Sequence, residues 1–404
     1  MSASISTGGW PAAQVSLRPD RPTILVLVGV GDLAKAKLLH LIAELTRRRR
    51  PTDPVREAVF VDRRDWNRDM LAAGIAEASY VKVTDGEDPL PNVEAVIARY
   101  TGKIEAVHGP LVGLPRVVLY SAVPPDTYPT LLHQYASLGA RAELCIALEK
   151  PLATSKAGLL RLESAIADVG HLYRDIVPID HYSAKATVRR ALGVLATVPS
   201  ARKAFARFTS AVFMADESIT VPKERRASYG RAGATADMLV HLATLTYLKT
   251  GVFLGSQHLV GGQLGQLRGI DLPPGVESFF DLDFEIAEGR TVRTRSGKGL
   301  PAVKKIFELR TDDGWVMTGD LARQALSLQS PDRPTWRLAP DPLPDDSYHH
   351  IIRGLFLCGS YGGMTLAEAM NVTRGVLGIC ACEKFKALRA SMTQYNEGEE
   401  PPRR

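Results

Sequence analysis

Four short groups of residues carry side chains able to do chemistry at fixed spacing. Asp237-x-x-x-His241 lies in a stretch of helical periodicity over 233–248, and a four-residue step sets both side chains on one helical face. Met238, Leu242 and Leu245 mark the neighbouring apolar stripe, so the pair falls near a buried edge. An imidazole beside a carboxylate there is a general base tuned close to neutral pH. The competing reading is a helix pair worth only about 0.2–0.5 kcal/mol. Asp180-His181-Tyr182-x-x-Lys185 gathers imidazole, phenol and ammonium groups at the end of an apolar run, a donor set suited to a phosphate or a polyol. Glu149-Lys150-Pro151 closes another apolar run; its lysine suits a substrate hydroxyl, and its proline suits a turn fixed through a cis bond. Gly29-x-Gly31-x-x-Ala34 directly follows the apolar run 24–28. A glycine turn between a strand and a helix lets the backbone approach a pyrophosphate, which then sits on free N–H groups at the helix N-terminus.

These groups need a frame. The β-branched runs at 24–28, 58–62, 117–120, 144–148 and 176–179 read as buried parallel strands. Helical periodicity fills the intervals, at about 126–138 and 155–168 among others. Strands alternating with helices make a doubly wound parallel sheet, and ligands of such sheets sit at the carboxyl ends of the strands, where Lys150 and Asp180 fall. After about residue 200 the rhythm changes. The stretch 205–219 reads as one long strand, 233–249 as a helix, 276–318 as several more strands, and 346–358 and 364–388 as two last helices. This second part is α+β with a large, mainly antiparallel sheet. The expected division is a loose leader over 1–20, a nucleotide-binding domain over 21–180, a substrate domain over 181–390 and a mobile tail over 391–404.

Asp62 ends the second strand, where a carboxylate bonds a ribose 2′-hydroxyl, while Arg63 and Arg64 beside it suit a 2′-phosphate. The loop therefore leaves NAD and NADP both open. Composition narrows the rest. With 404 residues, 45% hydrophobic and 23% charged, the chain is an ordinary globular one of two or three domains. No apolar stretch approaches the ~20 residues that cross a bilayer, and the first twenty residues have no apolar core, so neither a membrane span nor a secretory signal is expected. The net charge of +6 comes from 50 Lys and Arg against 44 Asp and Glu. Part of it lies in Arg47–Arg50, after a helix where cations suit the dipole. Aromatic residues are not interleaved there, which argues against nucleic acid and for a small anionic substrate. Cys145, Cys358, Cys380 and Cys382 are too few and scattered for a disulfide framework or a metal site, which points to the cytoplasm.

Taken together these residues resemble the glucose-6-phosphate dehydrogenase family. Gly31-Asp32-Leu33-Ala34 with Lys37-Leu38-Leu39 is similar to the start of that family's sequences. Tyr120-x-Ala122-x-Pro124-Pro125, Glu149-Lys150-Pro151 and Ile179-Asp180-His181-Tyr182-x-x-Lys185 are similar to its next motifs. Glu217, Tyr229, Ala232-Gly233-Ala234, Asp237-Met238, His241-Leu242 and Arg295-Ser296-Gly297-Lys298-x-Leu300 continue the likeness in order. The resemblance implies a Rossmann domain followed by the substrate domain, and hydride transfer from a sugar phosphate to NADP or NAD. It implies His241 as the base, oriented by Asp180. It also implies His181, Tyr182 and Lys185 on a phosphate, and Lys150, Glu217, Asp237 and Lys298 on sugar hydroxyls. The dinucleotide would lie along Gly29, Gly31, Asp32, Leu33, Ala34, Asp62, Arg63, Arg64, Pro124 and Lys150. A homodimer through an exposed second-domain sheet is expected.

The departures are specific. Pro178 and Ala236 stand where the family has arginines, the Asp-to-His interval is one residue shorter, and Leu239 and Val240 occupy positions that are polar in the family. The two missing cations weaken the case for glucose 6-phosphate itself. Glu-Lys-Pro-Leu-Ala-Thr over 149–154 and Gly-x-x-x-Asp-x-x-x-His over 233–241 also resemble the glucose–fructose oxidoreductase and inositol dehydrogenase family. That resemblance implies a non-phosphorylated sugar or cyclitol. A third reading is a catalytically idle relative that binds nucleotide.

Overall fold

Every residue of the run Thr23–Val28 is buried, as a strand covered on both faces requires, and the run forms β1. The computed structural model describes residues 22–29, 37–47, 56–62, 72, 80–84, 88–108, 114–218, 233–269, 272–273, 275–286, 289–338 and 347–401. Gly31, Asp32, Leu33, Ala34, Arg63, Arg64, Tyr229 and Ala232, and the expected leader, lie outside the described residues.

β1 is joined by β2 (Arg56–Asp62), β3 (Tyr80–Lys82), β4 (Arg116–Ser121), β5 (Glu143–Glu149) and β6 (Asp175–Ile179) in the order β3-β2-β1-β4-β5-β6, with every pair parallel. The order reverses between β1 and β4, the point at which doubly wound sheets bind ligands. Strand alternation divides the core. Ile24, Val26 and Val28 pack with residues of α2 (Leu90–His108), α3 (Tyr128–Tyr135) and α4 (Lys156–Val169). Leu25 and Leu27 face the other way, toward Leu39 and Ile42 of α1 (Leu39–Thr46). β3 and α2 had no counterpart in the sequence reading: a three-residue strand is too short to show alternation, and α2 has only a narrow apolar stripe.

The second part begins with α5 (Ala186–Thr197) and α6 (Pro199–Phe205). The expected long strand over 205–219 is shorter: β7 spans Ser210–Asp216. Pro199 takes the first turn of a helix, where its missing N–H costs nothing, and that helix runs on to Phe205. After β7 come α7 (Val240–Thr250), β8 (Leu259–Leu267), β9 (Phe279–Ile286), β10 (Arg290–Gly297), β11 (Lys304–Arg310), β12 (Val316–Asp320), β13 (Ala325–Ser330) and β14 (Arg333–Leu338). Then follow α8 (Ser347–Cys358), α9 (Leu366–Ala381), α10 (Glu383–Ala390) and β15 (Thr393–Tyr395). A nine-stranded sheet results, ordered β14-β13-β12-β11-β7-β10-β9-β8-β15. It is antiparallel except for the pairs β7–β10 and β8–β15. Phe213, Phe280, Phe284 and Phe307 from its strands pack with α5, α7 and α9 in one apolar core.

Three expectations change here. The single helix over 364–388 is two, broken at Cys382, whose backbone is extended. Residues 181–390 are not one unit in space: Ile351, Ile352, Leu355 and Phe356 of α8 bury their stripe against Leu25, Leu27 and Tyr120 of the first sheet. Of the expected tail, residues 402–404 lie outside the described residues, and Thr393–Tyr395 are tied down, because β15 pairs with β8 and Tyr395 is 2% exposed.

Lys249, near the end of α7, is fully buried. Its Nζ donates to the Val188 carbonyl at 2.9 Å and lies 4.9 Å from the centre of the Phe307 ring. Burial pushes its amine well below the ordinary lysine range. The unfolded chain thus binds the proton more tightly than the folded chain, and stability falls as pH drops from the unfolded lysine value toward the folded one. Lys249→Met keeps the volume and removes the ammonium. Its thermal midpoint is expected to rise by a few degrees at neutral pH, about 1 kcal/mol being worth roughly 2–4 °C in a domain of ~150–250 residues. A lower midpoint would mean that the bond to Val188 outweighs desolvation.

Candidate active site

β5 and β6 end side by side, Glu149 opposite Ile179, so the next residues, Lys150 and Asp180, leave the sheet together. The Lys150 N–H donates to the Ile179 carbonyl at 3.0 Å, and the Lys150–Pro151 peptide bond is cis. Two tyrosines hold the turn from beneath: Tyr128 donates to the Glu149 carbonyl at 2.8 Å, and Tyr120 bonds the Glu149 carboxylate. Asp180 is held as firmly. Its Oδ1 accepts from the N–H groups of Tyr182 at 2.9 Å and Ser183 at 3.2 Å, the local turn that an Asp side chain favours. Its own N–H donates to the Tyr361 hydroxyl at 3.0 Å, which in turn donates to the Pro178 carbonyl at 3.1 Å.

His241 arrives from the second part of the chain. The segment before α7 opens with Gly233 at φ +67°, where a Cβ would collide with the Glu277 carboxylate. That buried carboxylate accepts from the Thr235 N–H at 3.2 Å, and Arg389 donates to it at 2.8 Å. An anion at a helix N-terminus opposes the dipole favourably. Thr235–Leu239 then forms a single π turn before the α-helix begins at Val240, a distortion frequent at functional sites.

The His241 Nδ1 lies 3.0 Å from Asp180 Oδ1, and Lys150 Nζ lies 3.4 Å from Asp180 Oδ2. All three residues are buried. The carboxylate that meets His241 is thus that of Asp180, which the family resemblance pairs with it, and not that of Asp237, its neighbour on the helix. Among the described residues His241 Nε2 has no hydrogen-bond partner. Lys150 Nζ also bonds Thr244 Oγ1 and approaches Met364 Sδ at 3.5 Å. Burial alone would raise Asp180, but His241 and Lys150 outweigh it and hold the carboxyl well below the usual range. Burial lowers the Lys150 amine, with Asp180 opposing.

Rings surround His241. His181 meets it edge-on at 4.7 Å, Tyr182 stacks on it at 5.1 Å, and Tyr348 stacks on His181 at 5.6 Å. Burial and the neighbouring His241 push the His181 imidazole down to about 3, so it is neutral at physiological pH. Burial, with Glu217 and Asp237 adding to it, raises the Tyr182 phenol. Glu217 binds two lysines, Lys305 at 2.8 Å and Lys298. Burial would raise its carboxyl, and the two ammonium groups bring it down to about 2. Lys305 Nζ also lies 5.8 Å from the centre of the Tyr182 ring. Lys185 caps α5 with an extended backbone and is half-buried. Asp237 is half-buried in the π turn.

At the opposite side of the switch point, Gly29 follows β1 at φ +88° with its N–H bonded to the Val61 carbonyl at 2.8 Å. A Cβ there would lie 2.7 Å from Val123 Cγ1 and 3.2 Å from the Ala122 carbonyl. Glycine is required at this crevice by the close approach of Val123 and Ala122, which follow β4. Asp62 ends β2 and Pro124 begins the turn after β4, so both flank the same crevice.

Lys305, Thr244, Tyr348 and Tyr361 escaped the sequence reading. Thr244 is one helical turn from His241 and was within reach of an i,i+3 argument. Tyr348 and Tyr361 come from α8 and the segment after it, which carry no local chemical pattern. Among the described residues no group of three or more His, Cys, Asp or Glu is arranged to hold a metal, and no helix is long and apolar enough to cross a membrane.

No protein-family model matches the chain, and no curated protein does. Solved structures match almost end to end. Glucose-6-phosphate dehydrogenase in complex with glucose 6-phosphate is 16% identical, with a TM-score of 0.70 over 95% of this chain and 96% of that one. Aldose–aldose oxidoreductase from Caulobacter crescentus, complexed with glycerol, is 16% identical, with a TM-score of 0.62 over 92% and 98%. Levoglucosan dehydrogenase with NADH and levoglucosan is 16% identical, with a TM-score of 0.61 over 92% and 98%. The chain has the fold of these sugar oxidoreductases: a Rossmann domain followed by an α+β domain with a large mixed sheet. Structures of both kinds of protein that the sequence resembles are thus among its neighbours.

Proposed function

We propose that the chain is an NAD(P)-dependent dehydrogenase that oxidises a CH–OH group of a sugar phosphate, with His241 as general base. One observation carries the reading: Asp180 holds His241 by Nδ1, leaving Nε2 without a partner among the described residues, while its other oxygen faces Lys150. The sugar and dinucleotide ligands of the neighbouring structures support it.

NAD(P), when bound, would supply the acceptor for the hydride of the carbinol carbon. The protein's part is to place the alcohol and take its proton. An Nδ1–H donated to Asp180 fixes the tautomer in which Nε2 carries the lone pair, and the same carboxylate stabilises the imidazolium that forms. Lys150, at the end of β5, would donate to the reacting oxygen. Glu217, Asp237 and Lys298 would bond the remaining sugar hydroxyls, and a wrong epimer would leave them unpaired. Lys185, with the neutral His181 and Tyr182, would take the phosphate. The cofactor choice between NAD and NADP stays with Asp62 against Arg63 and Arg64.

A second reading, a non-phosphorylated sugar or cyclitol, is favoured by the cations. Glu217 neutralises Lys298 and Lys305, and Pro178 and Ala236 replace two family arginines. A panel of sugars and sugar phosphates, followed by near-ultraviolet absorbance of the reduced nicotinamide, separates the readings. Lys185→Ala is expected to raise KM for a phosphorylated substrate by about 10-fold or more, the loss of one charge-assisted bond of roughly 1.5–3 kcal/mol. The same change should alter KM for a neutral sugar little, and equal effects on both would remove the phosphate. No reduction with any sugar, together with retained dinucleotide binding, would leave an idle nucleotide-binding relative.

A further inference from the structure

We infer that the C-terminal segment 393–401 is a strap that positions Lys298 in the sugar site, with Tyr395 as its positioning residue. The inference rests on the dehydrogenase reading for what Lys298 does, and on the structure for how Lys298 is held.

Lys298 sits in the tight turn after β10. Gly299, next to it, has φ +66°, and its missing side chain makes room for Leu267, which a Cβ would meet at 2.8 Å. One side of the turn is fixed to the residue whose carboxylate the lysine binds: the Glu217 N–H donates to the Gly297 carbonyl at 2.9 Å, and the Leu300 N–H donates to the Glu217 carbonyl at 3.0 Å. The other side is fixed to the strap. The Tyr395 hydroxyl donates to the Lys298 carbonyl at 2.8 Å, and the Gly398 N–H donates to the Gly299 carbonyl at 2.8 Å. Tyr395 is itself anchored, since it pairs with Leu267 in the parallel ladder to β8, and its carbonyl accepts from the Arg268 N–H at 2.8 Å. Leu267, Phe279, Leu300 and Tyr395 form a separate small apolar core beneath the turn.

The acidic end of the strap closes on the same strand. Glu400 bonds Arg295, whose Nε also donates to Asp216 at 2.9 Å, and lies 3.7 Å from Lys304. Asp216 and Glu217 are adjacent, as are Lys304 and Lys305. The strap therefore touches Lys298 directly and the neighbours of Lys298 and Lys305, and it reaches Asp216, the neighbour of Glu217, through Arg295. Among the described residues the strap makes no bond to His241 or Gly29, so its effect should fall on sugar binding and leave the chemistry and the dinucleotide alone.

The test compares the full-length chain with Tyr395→Phe, which keeps the ring in the apolar core and removes only the hydroxyl. Ser278→Ala serves as control. It removes the Ser278 hydroxyl that meets Tyr395 Oη at 3.0 Å and accepts from the Leu267 N–H at 2.7 Å, but it leaves the bond to the Lys298 carbonyl. Glucose 6-phosphate and glucose, with NADP and NAD, are the probes. In Tyr395→Phe, KM for the sugar oxidised should rise by about 2–10-fold, the range of a net hydrogen bond. Its kcat and cofactor KM should stay within about twofold, and the Lys298–Leu300 amides should exchange with deuterium faster. Ser278→Ala should leave the sugar KM near the wild-type value. An unchanged sugar KM in Tyr395→Phe, or kcat and cofactor KM moving with it, would overturn the positioning role. A wild-type chain that oxidises neither probe, while exchange still quickens in Tyr395→Phe, would overturn glucose and glucose 6-phosphate as its substrates and leave the strap's hold on Lys298 standing.

Discussion

His241→Ala is expected to lose about 10²–10⁴-fold in kcat, the range of a positioned general base, with the dinucleotide Kd within about twofold of wild type. The two readouts separate because the residues belong to different parts of the molecule. His241 lies on α7, in the core of the second sheet, whereas the Gly29 crevice lies between β1 and β4. Removing the imidazole leaves Asp180 with Lys150 and with the Tyr182 and Ser183 amides, so the carboxylate does not become an unpaired buried charge and the fold should hold. Steady-state turnover and a fluorescence titration of the cofactor measure the two quantities on one preparation. An unchanged kcat would remove His241 as base. A parallel loss of cofactor affinity would mean that the ring supports the crevice.

Much of this was legible in the sequence, for identifiable reasons. The parallel strands announce themselves because both faces are covered, which makes 24–28, 117–120 and 144–148 continuous apolar runs. Lys150 and Asp180 follow such runs directly, so their place at the carboxyl edge could be read. What joined Asp180 to His241, 61 residues away, was the family resemblance, since helical spacing alone pointed to Asp237. Lys305 escaped because a lysine pair at the start of a strand reads as a solvated edge. Its role depends on β11 lying antiparallel to β7, which sets Lys305 opposite Ala215 and brings it to Glu217. The strap escaped for a compositional reason: the Glu, Pro and Arg of 397–404 read as disorder. The anchor Tyr395 precedes that stretch, and its partners are carbonyls and amides that no side-chain pattern displays.

Asp180→Asn should be the most destabilising conservative change in the site, at about 3–5 kcal/mol, the cost of leaving a buried charge without its partner. The amide keeps the shape and still accepts from Tyr182 and Ser183, so the loss comes from charge. Lys150 Nζ is left with Thr244 and Met364, and His241 with a neutral oxygen that no longer stabilises its imidazolium. Turnover should fall by about 10²–10⁴-fold as well. The pH dependence has a definite sign. The folded-state carboxyl of Asp180 is depressed below its ordinary value. Its stabilisation is therefore complete above the unfolded value near 4 and is lost as pH falls from there toward the folded one. Asp180→Asn should remove that component and flatten the acid limb of an unfolding curve. The decisive comparison is Asp180→Asn/Lys150→Met. If the stranded ammonium is the source of the cost, the double variant recovers stability relative to Asp180→Asn while remaining inactive, a coupling that a double-mutant cycle measures. Equal stability of the single and double variants would mean that Lys150 is already neutral in the fold, with Asp180 holding His241 alone.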